Sequence, residues 1–469
     1  MNFKSNQEWA EALFANAELG DDRRTKRLVR VAQEMSASVD HSIHAASGNP
    51  ASIEAAYRFI RNQAISHEAI ANAGYQYTDK LVAQRPKVLA IQDTTGLSYR
   101  HSVCDELGEV NSSNAKRNSA KGRTIYAHST LMLDAESEQV LGLSNQYYWH
   151  REAKNNAPTH ILQERPLEAK ESYKWQRSVE TLAERLPSMS NIIDVCDREA
   201  DIYDYLAYQC SKLHRFIVRA SDYRRLKGEQ EKLDGFAEQQ ATIGSYEVKI
   251  QQRGGRKSRV AKVALMTGKV TLRKPQRAVA QNSVAVNLVY CKEIDPVENQ
   301  EPLKWLLYTT EPVNTTEEAR KVVRYYELRW RVEEFHKTWK TDGTRVEGLR
   351  MQTKDNLLRA ATIKAFIAVR LMQLRDLVRP DDPNSAADIT CDCFLSTTSW
   401  KILWKKVEKA KAIPASAPSL RWSYYALGKL GNWKDTARTG RVGIKALWEG
   451  WEILMMLVES YEELKGLDL

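Results

Sequence analysis

The chain has 469 residues and a formal net charge of +10 at pH 7, with 42% hydrophobic and 28% charged residues. These values predict a globular protein of roughly two to four domains, and the basic balance favours a polyanionic partner such as nucleic acid. No apolar run approaches the roughly 18 residues of a membrane span and no apolar signal core is present, which predicts a cytoplasmic location. Scattered cysteines, with no His-Glu-x-x-His and no P-loop motif, argue against zinc enzymes and P-loop NTPases.

Residues 1–70 are predicted to form short helices, one of which begins after Asp21 or Asp22. Its apolar residues recur at helical spacing: Leu28, Val31, Ala32 and Met35. Arg23, Arg27 and Arg30 fall on the opposite face. A buried stripe backed by cations is one way in which a helix approaches a DNA backbone, and a solvated basic face is the alternative.

Two apolar strands are predicted to end in aspartates, Asp93 after residues 87–92 and Asp197 after residues 191–196. A hairpin over 124–149, helices near 170–186 and 199–210, and a fifth strand at 214–220 complete the pattern. Three antiparallel strands, a helix, a strand, a helix and a strand are typical of an RNase H-like mixed α/β sheet. Either aspartate alone could be a loop residue or a helix cap.

A β-rich insertion is predicted over about residues 221–312. Residues 214–280 contain 16 lysines and arginines against 6 acidic residues, so the local surplus equals the net charge of the whole chain. The densest part is the basic turn, residues 253–262, whose cations could lie along phosphates or face solvent. Those cations are Arg253, Arg256, Lys257, Arg259 and Lys262. The next strand, near 303–310, presents Trp305.

A single helix is predicted from about Glu317 to Thr341, capped by Thr315 or Thr316. In such a helix four side chains would share an arc of roughly 60°. They are Tyr326, Arg329, Glu333 and Lys340. A carboxylate beside cations suits phosphoryl transfer, because the carboxylate can hold a metal ion while the cations bind phosphate. The alternative is a solvated face with pairs at i,i+4 spacing. Together with the two strand-end aspartates, the glutamate supplies three carboxylates for two metal ions about 3.5–4 Å apart.

The remaining chain is predicted to be helical, with one apolar helix over 355–374 that packs on the core and another over 443–465. Five residues of the last helix repeat at heptad-like spacing: Leu447, Trp451, Leu454, Val458 and Tyr461. Packing within the chain is the default for this stripe, and self-association is the alternative. The predicted domains are residues 1–70, 71–375 and 376–469.

Several motifs resemble those of the DDE transposases of the insertion-sequence-four (IS-four) family. The most specific has the spacing Tyr-(two)-Arg-(three)-Glu-(six)-Lys within residues 326–340. Others are Asp-Thr-Thr from Asp93, Val-Cys-Asp-Arg-Glu-Ala-Asp over 195–201, Tyr-Arg-Phe-Ile-Arg-Asn over 57–62 and Pro-Leu-Lys-Trp over 302–305. The resemblance extends over about residues 6–375 and returns in the C-terminal helix, whereas the region 380–420 departs from the family.

The resemblance implies that Asp93, Asp197 and Glu333 are catalytic and bind two Mg²⁺ or Mn²⁺ ions. It also implies phosphate contacts from Tyr326, Arg329 and Lys340 and base stacking on Trp305. The resemblance further implies that residues 1–70 bind the DNA ends, 71–375 carry out catalysis and 376–469 mediate dimerisation. Arg23, Arg27 and Arg30 would belong to the end-recognition domain. The partners implied are double-stranded transposon-end and target DNA and a second copy of the chain, in a bacterial protein that associates with the nucleoid when bound to DNA.

The sequence therefore predicts a cut-and-paste DNA transposase that pairs two DNA ends, cleaves them through a hairpin intermediate and joins the 3′ ends to target DNA. Two alternatives remain. One is an RNase H-like nuclease or resolvase that cleaves without strand transfer. The other is a DNA-binding regulator derived from a transposase, against which the three carboxylates argue.

Overall fold

The computed structural model describes residues 5–37, 43–47, 49–107, 123–151, 165–228, 232–250, 259–297, 302–379, 385–436 and 441–465. The helices before the first strand are α1 Asn6–Phe14, α2 Asp22–Ala37, α3 Ile43–Ala46, α4 Pro50–Ile60 and α5 His67–Ala83. Those of the central region are α6 Lys174–Arg185, α7 Tyr203–Ser211, α8 Leu233–Glu238, α9 Thr316–Glu327, α10 Trp330–Lys337 and α11 Lys354–Arg375. The last are α12 Thr397–Glu408, α13 Leu420–Leu430 and α14 Ile444–Lys465. None of the described helices combines the length and apolarity that a bilayer crossing requires.

One nine-stranded sheet organises the protein, in the order β3-β2-β1-β4-β5-β9-β8-β7-β6. Its strands are β1 Val88–Tyr99, β2 Arg123–Asp134, β3 Val140–Trp149, β4 Ile192–Cys196, β5 Arg215–Arg219, β6 Thr242–Ile250, β7 Arg259–Thr271, β8 Ala285–Glu293 and β9 Lys304–Thr309. β1, β4 and β5 are parallel, and β1, β2 and β3 form an antiparallel meander. The first five strands therefore form the predicted RNase H-like core. The fold is mixed α/β, with helical segments before the first strand and after the last.

β1 is longer than the sequence predicts. The apolar run stops at Asp93, but the strand continues to Tyr99 because its whole length pairs with β2. Pairing with β4 stops earlier, at Ile91 with Val195. Asp93 therefore lies inside β1, just beyond the last residue that pairs with β4, and not at the end of the strand.

The insertion joins the core as additional strands of the same sheet. β9 pairs antiparallel with β5, with Ile217 opposite Thr309, and β8, β7 and β6 follow outward. Residues 251–258, which include Arg253, Arg256 and Lys257, lie outside the described residues. The insertion is therefore continuous with the sheet that carries the predicted aspartates.

The predicted single helix of residues 317–341 is wrong in its continuity. The capping box is present, with Thr315 and Glu318 each bonding the other's backbone N–H. The helix breaks after α9, because the N–H of Arg329 bonds the carbonyl of Tyr326 across a tight turn. α10 then runs to Lys337, and Thr338–Asp342 forms a π-helical turn. The predicted 60° arc of four side chains assumed one regular helix and does not apply.

The N-terminal helices bury the predicted stripe of α2. Leu28, Val31, Ala32 and Met35 are all buried, whereas Arg23 and Arg30 are exposed and Arg27 is half-buried. These helices pack on α5 and α11, the long helix whose apolar residues fill the centre of the main core. The predicted core role of residues 355–374 is confirmed.

Arg370 of α11 contacts residues from the first described helix region and from α14, near the two ends of the chain. Its guanidinium donates to Asn6 Oδ1 at 2.7 Å and to the Ser5 carbonyl at 3.2 Å. Three indole rings surround it, those of Trp9, Trp448 and Trp451, at 5.1 to 5.7 Å from ring centroid to guanidinium carbon. Burial lowers the pKa of Arg370 to about 9. We call Arg370 and its five partners, Ser5, Asn6, Trp9, Trp448 and Trp451, the arginine staple.

Packing within the chain accounts for most of the stripe on α14. Leu447, Trp451 and Leu454 are buried, and Trp451 contacts Phe394 with ring centroids 5.0 Å apart. These three residues therefore belong to the core and do not form an exposed pairing surface. The exposed apolar residues of α14 lie in its later turns: Met456, Tyr461 and Leu464.

Candidate active site

Asp93, within β1, and Asp197, directly after β4, occupy equivalent positions along two neighbouring parallel strands. The last pair of β1 and β4 is Ile91 with Val195, and each aspartate follows two residues later. Parallel strands in register carry such residues side by side at the same sheet edge. The Asp197 carboxylate also accepts from the N–H of Glu199 at 2.8 Å and so caps the short 3₁₀ turn that delays α7 to Tyr203.

Arg329 joins Asp93 to the helix that carries the third carboxylate. Its Nη1 lies 3.9 Å from Asp93 Oδ1, and its Nη2 lies 2.5 Å from Glu333 Oε1. All three side chains are mostly buried, with exposed fractions between 15% and 28%. The break between α9 and α10 puts Arg329 at the start of α10, one helical turn before Glu333. One guanidinium therefore lies between two of the three predicted catalytic carboxylates.

The two aspartates have opposite pKa shifts. Burial favours the neutral form of Asp93, but His336, Arg329 and the backbone N–H of Thr94 outweigh it, so the pKa of Asp93 is lowered. Burial raises the pKa of Asp197; the Glu199 N–H opposes it, and the nearby Asp93 charge adds to it. The electrostatic influence of Asp93 and Arg329 on Asp197 indicates that the three groups share one cluster.

His336 is a site residue that the sequence analysis missed. It follows Glu333 by three positions on α10, its Nδ1 lies 3.5 Å from Asp93 Oδ2, and its Nε2 lies 3.2 Å from the Ser129 hydroxyl. Arg329, Glu333 and His336 have the spacing i, i+4 and i+7, which places them on one helix face. That spacing was a usable signal, although a lone histidine on a helix is weak evidence of function.

The other predicted phosphate ligands lie around this cluster. The Lys340 Nζ donates to the carbonyl of Gly96 at 2.6 Å and lies 3.7 Å from Glu347 Oε1. Tyr326 is buried, and its ring meets that of the half-buried Trp305 edge to face, with centroids 5.8 Å apart. The structure thus brings Trp305 of β9 next to the residue that begins the motif.

An open cavity of about 740 Å³ begins beside this cluster. Its lining comes mainly from α10, the π-helical turn and the start of α14, and includes Glu333, Lys337 and Arg345 together with Trp330. Trp330 is 40% exposed. Glu333 therefore borders an open space lined by four basic side chains, four acidic side chains and two indole rings.

Comparison with known families agrees with this geometry. The model of the transposase DNA-binding family matches residues 6–65, and the model of the transposase DDE domain matches residues 176–370. These matches support a DDE transposase. The DDE match contains Asp197, Arg329 and Glu333 but begins after Asp93, so the pairing of β1 with β4 is what connects Asp93 to the matched segment.

DDE transposase domains use divalent metal ions, and the donor set here suits them because carboxylate oxygens are the preferred ligands of Mg²⁺ and Mn²⁺. Among the described residues, no three His, Cys, Asp or Glu side chains converge closely enough to enclose an ion. Asp93 and Glu333 instead share the guanidinium of Arg329. The carboxylates are thus ligands of the type that a divalent ion prefers. In this conformation the Arg329 guanidinium supplies the positive charge between Asp93 and Glu333.

The remaining predicted DNA contacts are more dispersed. In the matched DNA-binding segment, Arg23 forms an ion pair with Asp21 at 3.0 Å, and Arg30 forms one with Glu34 at 3.2 Å. In the described part of the basic turn, Arg259 forms an ion pair with the buried Glu293. The guanidinium of Arg259 is therefore engaged within the insertion. Lys262 is exposed on β7.

Proposed function

We propose that this chain is a cut-and-paste DNA transposase of the IS-four family, close to the transposase of transposon five. It binds the terminal repeats of its element, pairs two ends as a homodimer, cleaves them and joins the 3′ ends to target DNA. The observation that carries the proposal is the contact of Arg329 with both Asp93 and Glu333. This contact links the carboxylate outside the DDE match to one inside it, at the strand edge where Asp197 also lies.

In this proposal Asp93, Asp197 and Glu333 hold two Mg²⁺ ions, for which Mn²⁺ can substitute. The bound cations supply Lewis-acid stabilisation of charge on the phosphate. Arg329 exchanges its carboxylate contacts for the phosphate of the DNA end, since a guanidinium binds either anion with similar geometry. Lys340, which now contacts the Gly96 carbonyl and lies near Glu347, also turns to phosphate, and His336 keeps the Asp93 carboxylate oriented.

In the described part of the chain we identify one proposed catalytic carboxylate triad, which favours sequential cleavage of the two strands. Water breaks one phosphodiester and leaves a 3′-OH, which attacks the opposite strand to form a hairpin, and water then opens the hairpin. A tight hairpin needs one base to leave the stack, at a cost of a few kcal/mol, and a stacking surface compensates part of this cost. Trp305 is the proposed surface, because Tyr326 lies against its ring and belongs to the phosphate-binding motif.

The test is cleavage of DNA that carries the terminal sequences flanking the gene, in the presence of Mg²⁺, followed by sequencing of the ends. The variants Asp93→Ala, Asp197→Ala and Glu333→Ala should each lose cleavage and retain DNA binding, because phosphate contacts elsewhere persist. Glu334→Ala is the matched control. Glu334 adjoins Glu333 but forms ion pairs with Arg331 and Arg375, so this variant should still cut.

The alternatives give different outcomes. Cleavage without joining of the 3′ ends to a target plasmid would indicate a nuclease or resolvase. Specific binding without metal-dependent nicking would indicate a DNA-binding regulator. Substantial cleavage by any of the three carboxylate variants would refute the assignment of the catalytic site.

A further inference from the structure

A row of buried polar side chains crosses the sheet directly beneath the catalytic strand ends. Thr94 Oγ1 lies 2.9 Å from His128 Nδ1, and His128 Nε2 lies 2.9 Å from Gln92 Oε1. Gln92 Nε2 then donates to Asp194 Oδ1 at 2.7 Å. His128, Gln92 and Asp194 are almost completely buried. These four residues, the polar row, connect β2, β1 and β4 through side chains alone.

The direction of every hydrogen bond in the polar row follows from the single charge at Asp194. A carboxylate only accepts, so the Gln92 amide nitrogen faces it and the Gln92 carbonyl oxygen faces His128. A carbonyl oxygen also only accepts, so His128 carries its proton on Nε2. Its Nδ1 therefore accepts from the Thr94 hydroxyl. Burial lowers the pKa of His128 to about 3, which keeps this ring neutral at physiological pH.

The second carboxylate oxygen of Asp194 is held by side chains of α7. Asp194 Oδ2 accepts from the Tyr205 hydroxyl and from Gln209 Nε2, which lies at 2.9 Å. Both donors belong to α7, the helix that follows Asp197. Burial raises the pKa of Asp194 to about 6, so the carboxylate is ionised at neutral pH and can accept from all its donors. The row is thus fixed at one end and terminates at Thr94, next to Asp93.

The backbone pairing between β1 and β4 stops before the two proposed catalytic aspartates, although β1 remains paired with β2 at Asp93. β1 and β4 pair last at Ile91 with Val195, so no ladder bond of this pair holds the two strands together at Asp93 and Asp197. The Gln92 to Asp194 hydrogen bond spans the same two strands at the end of the ladder. We propose that the polar row is a positioning device, in which Asp194, through Gln92 and His128, sets the placement of Asp93 relative to Asp197. This inference rests on the proposed function, because it assumes that the two aspartates act together.

The proposal makes a specific prediction for Asp194→Asn, which keeps the shape and removes the charge. The new amide oxygen must face Tyr205 and Gln209, which are donors, so its nitrogen faces Gln92. Gln92 must then turn its oxygen toward the new amide nitrogen at position 194 and its own nitrogen toward His128. His128 responds by accepting at Nε2 and carrying its proton on Nδ1, which reverses the hydrogen bond to Thr94.

The first experiment measures this tautomer directly. Ring ¹³C and ¹⁵N shifts of histidine distinguish the two neutral tautomers, and His128→Gln in the same labelled protein identifies the His128 signals. We expect the Nε2–H tautomer in the wild-type chain and the Nδ1–H tautomer in Asp194→Asn. An unchanged tautomer in a folded Asp194→Asn chain would overturn the proposed orientation of the row.

The second experiment measures nicking of end DNA at saturating DNA, with the dissociation constant measured separately. Asp194→Asn should lower the nicking rate by about 10–100-fold, as for outer partners of metal ligands, and leave DNA affinity unchanged. Gln92→Glu combined with Asp194→Asn moves the carboxylate one position along the row. This combination restores a donor at His128 Nε2, so it should restore both the wild-type tautomer and a large part of the rate.

Matched controls separate positioning from loss of stability. Asp79→Asn removes a mostly buried carboxylate that binds Arg185 away from the row, so its nicking rate should stay near wild type at equal folded fraction. If Asp194→Asn fails to fold, Thr94→Val cuts the last link without changing a buried charge and should still lower the rate. Loss of rate in proportion to stability in both aspartate variants, or no recovery in the double variant, would overturn the proposal. If the wild-type chain does not nick end DNA, the proposed function is refuted as well.

Discussion

Replacement of Arg329 by methionine isolates the electrostatic role of this guanidinium in the metal-free protein. At 3.9 Å from Asp93, its attraction is about 4 kcal/mol at an effective dielectric of about 20. Desolvation offsets part of this, and the exposed fractions of 15% and 18% allow some screening by water. We therefore expect Arg329→Met to lower the free energy of unfolding by about 2–3 kcal/mol without divalent ions.

Divalent ions should reverse this loss. If these carboxylates bind metal as proposed, an ion must displace the guanidinium in the wild-type chain, whereas in Arg329→Met this competing cation is absent. An ion at 100 times its dissociation constant stabilises a folded protein by about 2.7 kcal/mol. Chemical denaturation with chelator or with Mn²⁺ should show a larger gain in the variant than in the wild type.

Arg331→Met is the matched control, because Arg331 is similarly buried and forms ion pairs with Glu334 and Asp376 outside the cluster. It should lose comparable stability in chelator and gain no more from Mn²⁺ than the wild type. If Mn²⁺ stabilised Arg329→Met no more than the wild type, the guanidinium would not be competing with metal for the carboxylates. An Arg329→Met chain as stable as wild type in chelator would refute the electrostatic argument itself.

Three further results are expected. Trp305→Ala should nick end DNA normally but accumulate little hairpin on denaturing gels, and a normal hairpin yield in a folded variant would exclude Trp305 from hairpin formation. Neutralising the cations of the basic turn other than Arg259 should lower the slope of log affinity for DNA against log salt concentration by about one unit per lost contact. Arg259→Gln should instead mainly destabilise the insertion, because it removes the ion-pair partner of the buried Glu293. Trp451→Asp should reduce helical circular dichroism and not only DNA-end pairing, because Trp451 is core, while Met456→Asp should leave folding intact.

The sequence was informative where a local pattern alone determines the structure. Apolar runs followed by Asp93 and Asp197 predicted two strands, which the structure places side by side, although β1 continues past Asp93 to Tyr99. The capping sequence at Thr315 predicted the start of α9, which the structure confirms. The period of α2 predicted its buried face, which is also confirmed.

Features that depend on distant partners could not be predicted. The break at Arg329 contains no proline or glycine, and the guanidinium there faces Asp93, more than 200 residues away in sequence. Gln92, His128 and Asp194 were recognisable as residues of buried strands, but their mutual bonds depend on strand order and register. The buried face of α14 was ambiguous for the same reason, since a heptad-like stripe serves packing within a chain or between chains.

The arginine staple also limits how the protein can be divided. Because Ser5, Asn6 and Trp451 all contact the side chain of Arg370, a fragment that lacks either terminus leaves a guanidinium in an apolar pocket with part of its shell missing. Neither the first helix nor the last can be trimmed as if it were an independent attachment. Residues near the two ends of a 469-residue chain thus meet in one structural unit, and limited proteolysis at either terminus should weaken the anchoring of the other.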